Sequence, residues 1–509
     1  MSFSILLAIL FGICFPLSII LMKKKAEAKR LPPGPRKLPI IGNIHQISQP
    51  LHQSLRRLSN KHGPLMHLQL GSVPTLVVSS AAMAKEVLKT HDLIFANRPS
   101  LYASRKSSYN YTDVVLAPYG SYWREVRKIA VIELLSAKRV ESFKSIREEE
   151  VAHMIKTVSN SSLESNPINV TKLIFMVVNN VVIRVTFSKK GNHGEEKRKS
   201  GTREFGDIIN ESLDLISVGN IAELFPWMGW YNKLNGVEAG LEKNFRDLDS
   251  FYDMVIQEHR ERSGGSEHED LVDVLLRVQD DPNQEIRLTN ANIKGVLNDM
   301  FLAGTDTSSV TLIWAMTELI RRPSAMRKAQ EEVRGVVKES GSLQVNESHL
   351  PELAYLKMVI KMVIKEVLRL HPPVPLLVPH EATERCSIAG YDIPAKTRVL
   401  VNAMSIGMDS EYWENPEEFK PERFLNTDID FRGQHFELLP FGAGRRGCPG
   451  INFAGVILEL VLANLLHTFD WNLPDGARAE DIDMEESSGI AIHKKTPLYL
   501  VASTPSTAI

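Results

Sequence analysis

A single cysteine at the end of a glycine-rich, doubly basic loop constrains this chain more than any other stretch. The loop reads Phe441-Gly442-Ala443-Gly444-Arg445-Arg446-Gly447-Cys448-Pro449-Gly450, and the apolar run after it, Ile451–Leu460, has the pattern of a helix. Its four glycines let the backbone turn tightly, with N–H groups aimed at one atom and no Cβ in the way. Pro449 suits the first turn of the helix that follows. Cys448 is thus expected at a helix N-terminus beside two guanidiniums, a setting that lowers a thiol's pKa and favours the thiolate. One such sulfur without clustered partners suits a metal, in particular the axial position of a haem. An inert cysteine buried in a turn is the plain alternative.

The same glycines match Gly442-x-Gly444-x-x-Gly447, a dinucleotide-binding fingerprint, with Asp470 near where a ribose-binding acid would stand. That motif needs a strand before it and further βαβ units after it, and only about 60 residues remain. Length alone, 509 residues, permits about three domains. A formal charge of −1 offers no basic excess for nucleic acid. The three cysteines, Cys14, Cys386 and Cys448, show no paired spacing, which argues against a disulfide framework and for a reducing compartment.

Residues 2–22 are uncharged and mostly apolar, long enough to span a bilayer as an anchor. Lys23, Lys24, Lys25, Lys29 and Arg30 follow, opposed only by Glu27, and hold that side in the cytosol. With Leu31-Pro32-Pro33-Gly34-Pro35 they make residues 23–35 a basic, proline-rich hinge, stiff and extended. On this topology the Asn-x-Ser/Thr triplets at Asn110, Asn160, Asn169, Asn210 and Asn346 are chance matches rather than glycan sites.

Further along, Leu65–Leu70 and Thr75–Val78 flank Gly71 and Pro74 as a short hairpin. Tyr119–Lys128 opens a helix on which Trp123 and Arg127 share one face and Arg124 and Lys128 the next, a spacing that an ordinary amphipathic helix also satisfies. Thr289 and Asn290 can cap a long helix running to Arg321–Arg322, before Pro323. Its middle, Ala303-Gly304-Thr305-Asp306-Thr307-Ser308-Ser309, holds poor helix formers. Either the hydroxyls bond back to carbonyls, or a loosened turn opens a groove. Residues 353–370 form another helix, with Glu366 and Arg369 three apart and facing one another. Just upstream, Lys357-Met358-Val359-Ile360 is repeated as Lys361-Met362-Val363-Ile364, and the shifted register must be absorbed near Leu353–Tyr355.

The spacing Phe441-x-x-Gly444-x-Arg446-x-Cys448-x-Gly450 resembles the haem-binding signature of the cytochrome P-450 family, the haem-thiolate monooxygenases. The resemblance implies a mainly α fold with a small β-lobe, in which residues 36–509 form one domain. It implies haem b held by Cys448 as proximal iron ligand, within the loop that starts at Phe441 and Gly442. Arg446 and the Trp123–Arg127 pair would serve the haem propionates, as would His380, although a lone histidine is more often structural. Residues 303–308 are similar to the family's oxygen-activation motif, with Thr307 on the bound oxygen and Asp306 relaying protons. Glu366 and Arg369 would be buried and joined by Arg423 of Pro421-Glu422-Arg423-Phe424, a structural triad. Ser487–Ile492 falls where a substrate-facing turn is expected.

The implied reaction inserts one atom of dioxygen into an apolar substrate. Electrons come from NADPH through a separate membrane flavoprotein, the cytochrome reductase, which would meet Arg124 and Lys128. The endoplasmic reticulum membrane, with the catalytic domain in the cytosol, is the implied location. The pattern is most similar to plant microsomal enzymes of specialised metabolism, which points to a terpenoid and leaves alkaloids and phenolics open. A haem-thiolate isomerase or dehydratase would keep Cys448 but would not need Thr307.

Overall fold

A computed structural model describes residues 31–163, 166–189, 205–217, 221–262, 269–340, 344–348, 356–487 and 489–505. The expected anchor and the basic part of the hinge lie outside them, as does Leu353–Tyr355.

The architecture follows from one buried rod. Thr289 caps the helix Asn290–Arg321, its side chain accepting from Asn292 N–H while the Asn292 side chain returns to the Thr289 N–H. From Ser308 to Ile320 every side chain of this helix is buried, so the helix is wrapped by others rather than laid on a surface. Helices Val170–Phe187, Leu356–Leu370 and Ile451–Thr468 pack against it. Two of these, Val170–Phe187 and Ile451–Thr468, are long and apolar enough to cross a membrane, but both bury much of their surface in this core.

The β-lobe is small. Leu65–Leu70 and Val73–Val78 pair antiparallel, as their alternation and the Gly71 turn dictate. Arg398–Val401 then adds parallel to Val73–Val78, and His380–Glu381 closes the far edge. Separate short ladders join Ile168–Asn169, Tyr499–Ser503 and Asp470–Asn472, and Cys386–Ile388 with Tyr391–Ile393. The ladder through Asp470 is antiparallel and the residue bonds Arg334, so it serves no dinucleotide fold.

The described part of the proline stretch, residues 31–35, is tied to the β-lobe: Pro33 C=O accepts from His67 N–H at 2.9 Å. A Cβ on Gly34 would come within 2.0 Å of the His67 carbonyl, so glycine is required for this close approach. In the duplicated segment, Ile360 of the first copy and Met362, Val363 and Ile364 of the second are buried, and the second copy leads directly into buried Glu366.

Candidate active site

The cysteine loop closes on itself. Cys448 N–H donates to Phe441 C=O at 2.9 Å, and Gly442 and Gly444 take the positive φ values, 66° and 68°, that turn the chain. At Gly444 a Cβ would lie 2.3 Å from the Leu88 carbonyl, so this position accepts no side chain. The Sγ of Cys448 accepts from Gly450 N–H at 3.3 Å, just before the helix Ile451–Thr468 begins.

The two guanidiniums of the loop do not flank that sulfur. Arg445 is partly exposed and turns to Asp92. Arg446 is buried, donating to Ala96 C=O at 2.7 Å and Ala117 C=O at 2.5 Å, with its plane 4.1 Å from the Trp123 ring centre. Burial therefore raises the Cys448 thiol pKa, against the smaller lowering effects of the Gly450 N–H and Arg127. The lowered pKa expected from the sequence is corrected: the cations that adjacency supplies point elsewhere.

One apolar cavity holds most of the implicated residues, and encloses about 1600 Å³ of empty space counting its open mouth. Cys448, Phe441 and Gly442 line it on the loop side, and Ala303, Gly304 and Thr307 of the long helix line it as well. Basic groups gather on the same cavity: Arg98, Arg127, Arg446 and His380. Arg127 donates to Gly447 C=O, and His380 Nδ1 is bonded to Phe95 C=O at 2.7 Å. The Trp123 indole N–H donates to Val114 C=O at 2.9 Å, and its ring stacks on Arg446.

Arg98 carries no sequence signal, yet it is among the most constrained groups here. It is buried and holds the carbonyls of Val115, Val378 and Pro379. Burial, then the Arg446 charge, pushes its pKa well below the usual value, and Arg446 itself is brought down to about 9, mainly by burial. His380 is also held well below its ordinary value by burial and Arg98, so it is neutral here. A crowd of cations that depress one another is a site short of negative charge. Carboxylates entering the cavity would relieve it, and this is the fit that a dicarboxylate macrocycle needs.

On the long helix the expected loosened turn is absent. The helix runs unbroken, and Thr307 Oγ1 donates back to Ala303 C=O at 2.7 Å, as do Ser309 to Thr305 and Thr311 to Thr307. Thr307 faces the cavity; Asp306 does not line it, and lies 2.8 Å from His493 Nε2. Ser308 Oγ is buried on the cavity wall without a hydrogen-bond partner, so it is free to serve a small polar guest. Two turns upstream, Asp299 accepts from Val114 and Val115 N–H at 2.7 and 3.0 Å. Buried Asp113 stands beside it; burial raises the Asp113 carboxyl to about 6 and Asp299 well above its ordinary range.

Away from the cavity, Glu366, Arg369 and Arg423 come together. Glu366 accepts from Arg369 twice at 2.7 Å and from Arg423 at 2.9 Å. Arg369 spends its remaining donors on the carbonyls of Gly407, Pro416 and Glu418. Among the described residues of Ser487–Ile492 none lines the cavity; Ile492 is tied instead to Pro373 C=O and to the Trp314 indole. On the helix Ser121–Ile129, Arg124 and Lys128 are exposed, with Lys128 partly matched by Glu125 and Glu285.

Many helical folds surround an apolar cavity; a cysteine loop and a hydroxyl-bearing helix lining the same one narrow the class to haem monooxygenases. The chain matches the cytochrome P450 family profile over residues 32–501, and it belongs to that family. It is 54% identical to Strychnine-11-hydroxylase of Strychnos nux-vomica, over 99% of this chain and 98% of that one. Cytochrome P450 71A9 of Glycine max is 56% identical over 96% and 97% of the two chains. Desmethyl-deoxy-podophyllotoxin synthase of Sinopodophyllum hexandrum is 44% identical over 98% and 97%. The protein is accordingly a haem b enzyme of the plant monooxygenase type, with NADPH supplying electrons through a partner reductase.

Proposed function

We propose that this enzyme hydroxylates a bulky, largely apolar plant metabolite in the cavity between the cysteine loop and the long helix. The observation that carries the reading is the shared lining: Cys448 and Thr307 open onto one apolar space. Cys448 Sγ would be the iron ligand, and Arg98, Arg127 and Arg446 would hold the cofactor's carboxylates, with His380 beside them on the same wall. Bound haem supplies dioxygen activation. The chain supplies the rest: Met300, Ala303, Val374 and Leu377 present apolar surface to the substrate. The Thr307 hydroxyl, released from Ala303 C=O, holds a proton at Oγ1 on the cavity side, and Asp306 replenishes it.

A fused-ring terpenoid fits an apolar lining of this kind. An alkaloid is the second reading, favoured by 54% identity to an enzyme named for strychnine hydroxylation. Reconstitution with the reductase under labelled dioxygen, against panels of both classes, tests the proposal. One labelled oxygen atom in a hydroxylated product is expected, and product without label would sink it. In the same assay Thr307→Ala should keep the haem and lower product per NADPH about tenfold, the electrons leaving as peroxide. Wild-type coupling in this variant would remove Thr307 from proton delivery.

We further propose a single N-terminal anchor in the endoplasmic reticulum membrane, with the domain and its Arg124 and Lys128 surface cytosolic and open to the reductase. Support comes from an apolar surface near residue 31. Exposed Ile40 and Ile41 adjoin the Gly71 turn, which is bonded to Leu224, and exposed Trp227, Trp230 and Leu234 follow it. Protease added to intact microsomes should digest the domain; protection would reverse the topology.

A further inference from the structure

His493 stands at the outer end of a route that sequence motifs do not contain. Its Nε2 lies 2.8 Å from Asp306 Oδ1, and its side chain is 38% exposed whereas that of Asp306 is only 8% exposed. One ring therefore touches both solvent and a buried carboxylate whose chain neighbour, Thr307, faces the cavity. At 2.8 Å the contact is within proton-transfer reach, and among the described residues Asp306 Oδ1 has no other partner.

The ring is held in place by its own segment. Ile492 N–H donates to Pro373 C=O at 2.9 Å, and Ile492 C=O accepts from the Trp314 indole two turns along the same long helix. The His493 carbonyl accepts from Ser487 N–H at 2.8 Å. These bonds position residue 493 against the helix independently of its side chain.

The charges that act on the ring are acidic. Burial lowers the His493 pKa, but Asp306 and, from the helix Phe205–Ser217, Asp214 raise it, and the net result lies above the ordinary histidine value. Its neighbour Lys494 points its ammonium to Thr496 rather than to the ring.

We propose that His493 is the proton-entry residue for Asp306, a positioning and relay group acting through that carboxylate. This rests on the reading of Asp306 and Thr307 given above. Protonated His493 holds the Asp306 carboxylate by charge. Transfer of the proton from Nε2 to Oδ1 leaves both groups neutral, which dissolves the ion pair and frees the carboxylic acid to turn toward Thr307. Solvent at the exposed edge of the ring then recharges it. No electron moves and no bond to carbon changes.

The sign of the pH effect follows. A histidine with a raised pKa is charged below that value and loses its proton as pH rises through it. Coupling of NADPH to product should therefore fall as pH rises through that raised value.

The test compares His493→Gln, which keeps a donor but cannot titrate, with Asp306→Asn and the wild-type holoenzyme. His493→Gln should retain the carbon monoxide difference spectrum, lose about fivefold to tenfold in product per NADPH, and show a flat pH profile for coupling. Independently of turnover, the ring resonances of His493 in the ferrous carbon monoxide form should titrate above 6.5 in the wild type and shift downward in Asp306→Asn. Wild-type coupling and pH dependence in His493→Gln, beside an impaired Asp306→Asn, would overturn the histidine's role alone. Normal coupling in Asp306→Asn would remove the underlying reading as well.

Discussion

Cys448→Ala yields protein that folds but no longer shows the thiolate-type carbon monoxide difference band, and product formation falls below detection. The fold should tolerate the change because Cys448 contributes one weak bond, accepting from Gly450 N–H at 3.3 Å, while the loop is closed by the backbone pair Cys448 N–H and Phe441 C=O. The loss is therefore chemical. Without sulfur the cavity still offers Arg98, Arg127 and Arg446 to the cofactor's carboxylates, so a residual haem signal of altered ligation is compatible with the proposal. An unchanged band would end it, because among the described residues Cys448 is the cysteine lining the cavity.

Glu366→Ala should be the most damaging structural change. Glu366 and Arg369 are 0% and 1% exposed, and Arg423 joins them with most of its side chain buried. Removing the carboxylate leaves two guanidiniums facing each other without compensation, where breaking a buried pair costs about 3–5 kcal/mol. That is a large part of the about 5–15 kcal/mol that holds a typical domain together. The damage should also spread, since Glu366 accepts from Lys420 N–H at 2.8 Å and Arg369 fixes three carbonyls of the segment leading to the cysteine loop. Thermal melting and haem content report the effect. A variant with a wild-type melting temperature and full haem content would show that the triad does not hold this region. Glu366→Gln should fall between the two, keeping an acceptor but losing the charge.

Where the relevant geometry is local, the chain could be read directly. A glycine loop ending in Cys448, an acid and an arginine three apart on one helix, and a Thr289 cap on a long apolar helix are set by backbone periodicity and short-range sterics. Each appears in the structure close to where spacing puts it. The polar stretch of the long helix was half legible: its position is as expected, but the hydroxyls satisfy carbonyls within an intact helix instead of opening it.

Electrostatics were legible only in part, because burial decides them. Arg445 and Arg446 adjoin Cys448 in sequence, yet one turns to Asp92 and the other to carbonyls 329 and 350 residues away. Adjacency thus misjudged the direction of the thiol's pKa, which desolvation governs. The acceptor that Trp123 meets, Val114 C=O, arrives from a loop that no periodicity describes.

By itself the amino-acid order determined the family, the cysteine, the buried triad's first pair and the helix that carries Thr307, because backbone spacing of a few residues is enough to define each. Only the folded chain decided that Arg98 joins the cationic wall, that Asp113 and Asp299 are buried side by side, and that His493 reaches Asp306 from 187 residues further along. Those meetings depend on how separate elements pack and on how much water they exclude, and neither quantity is written in local spacing.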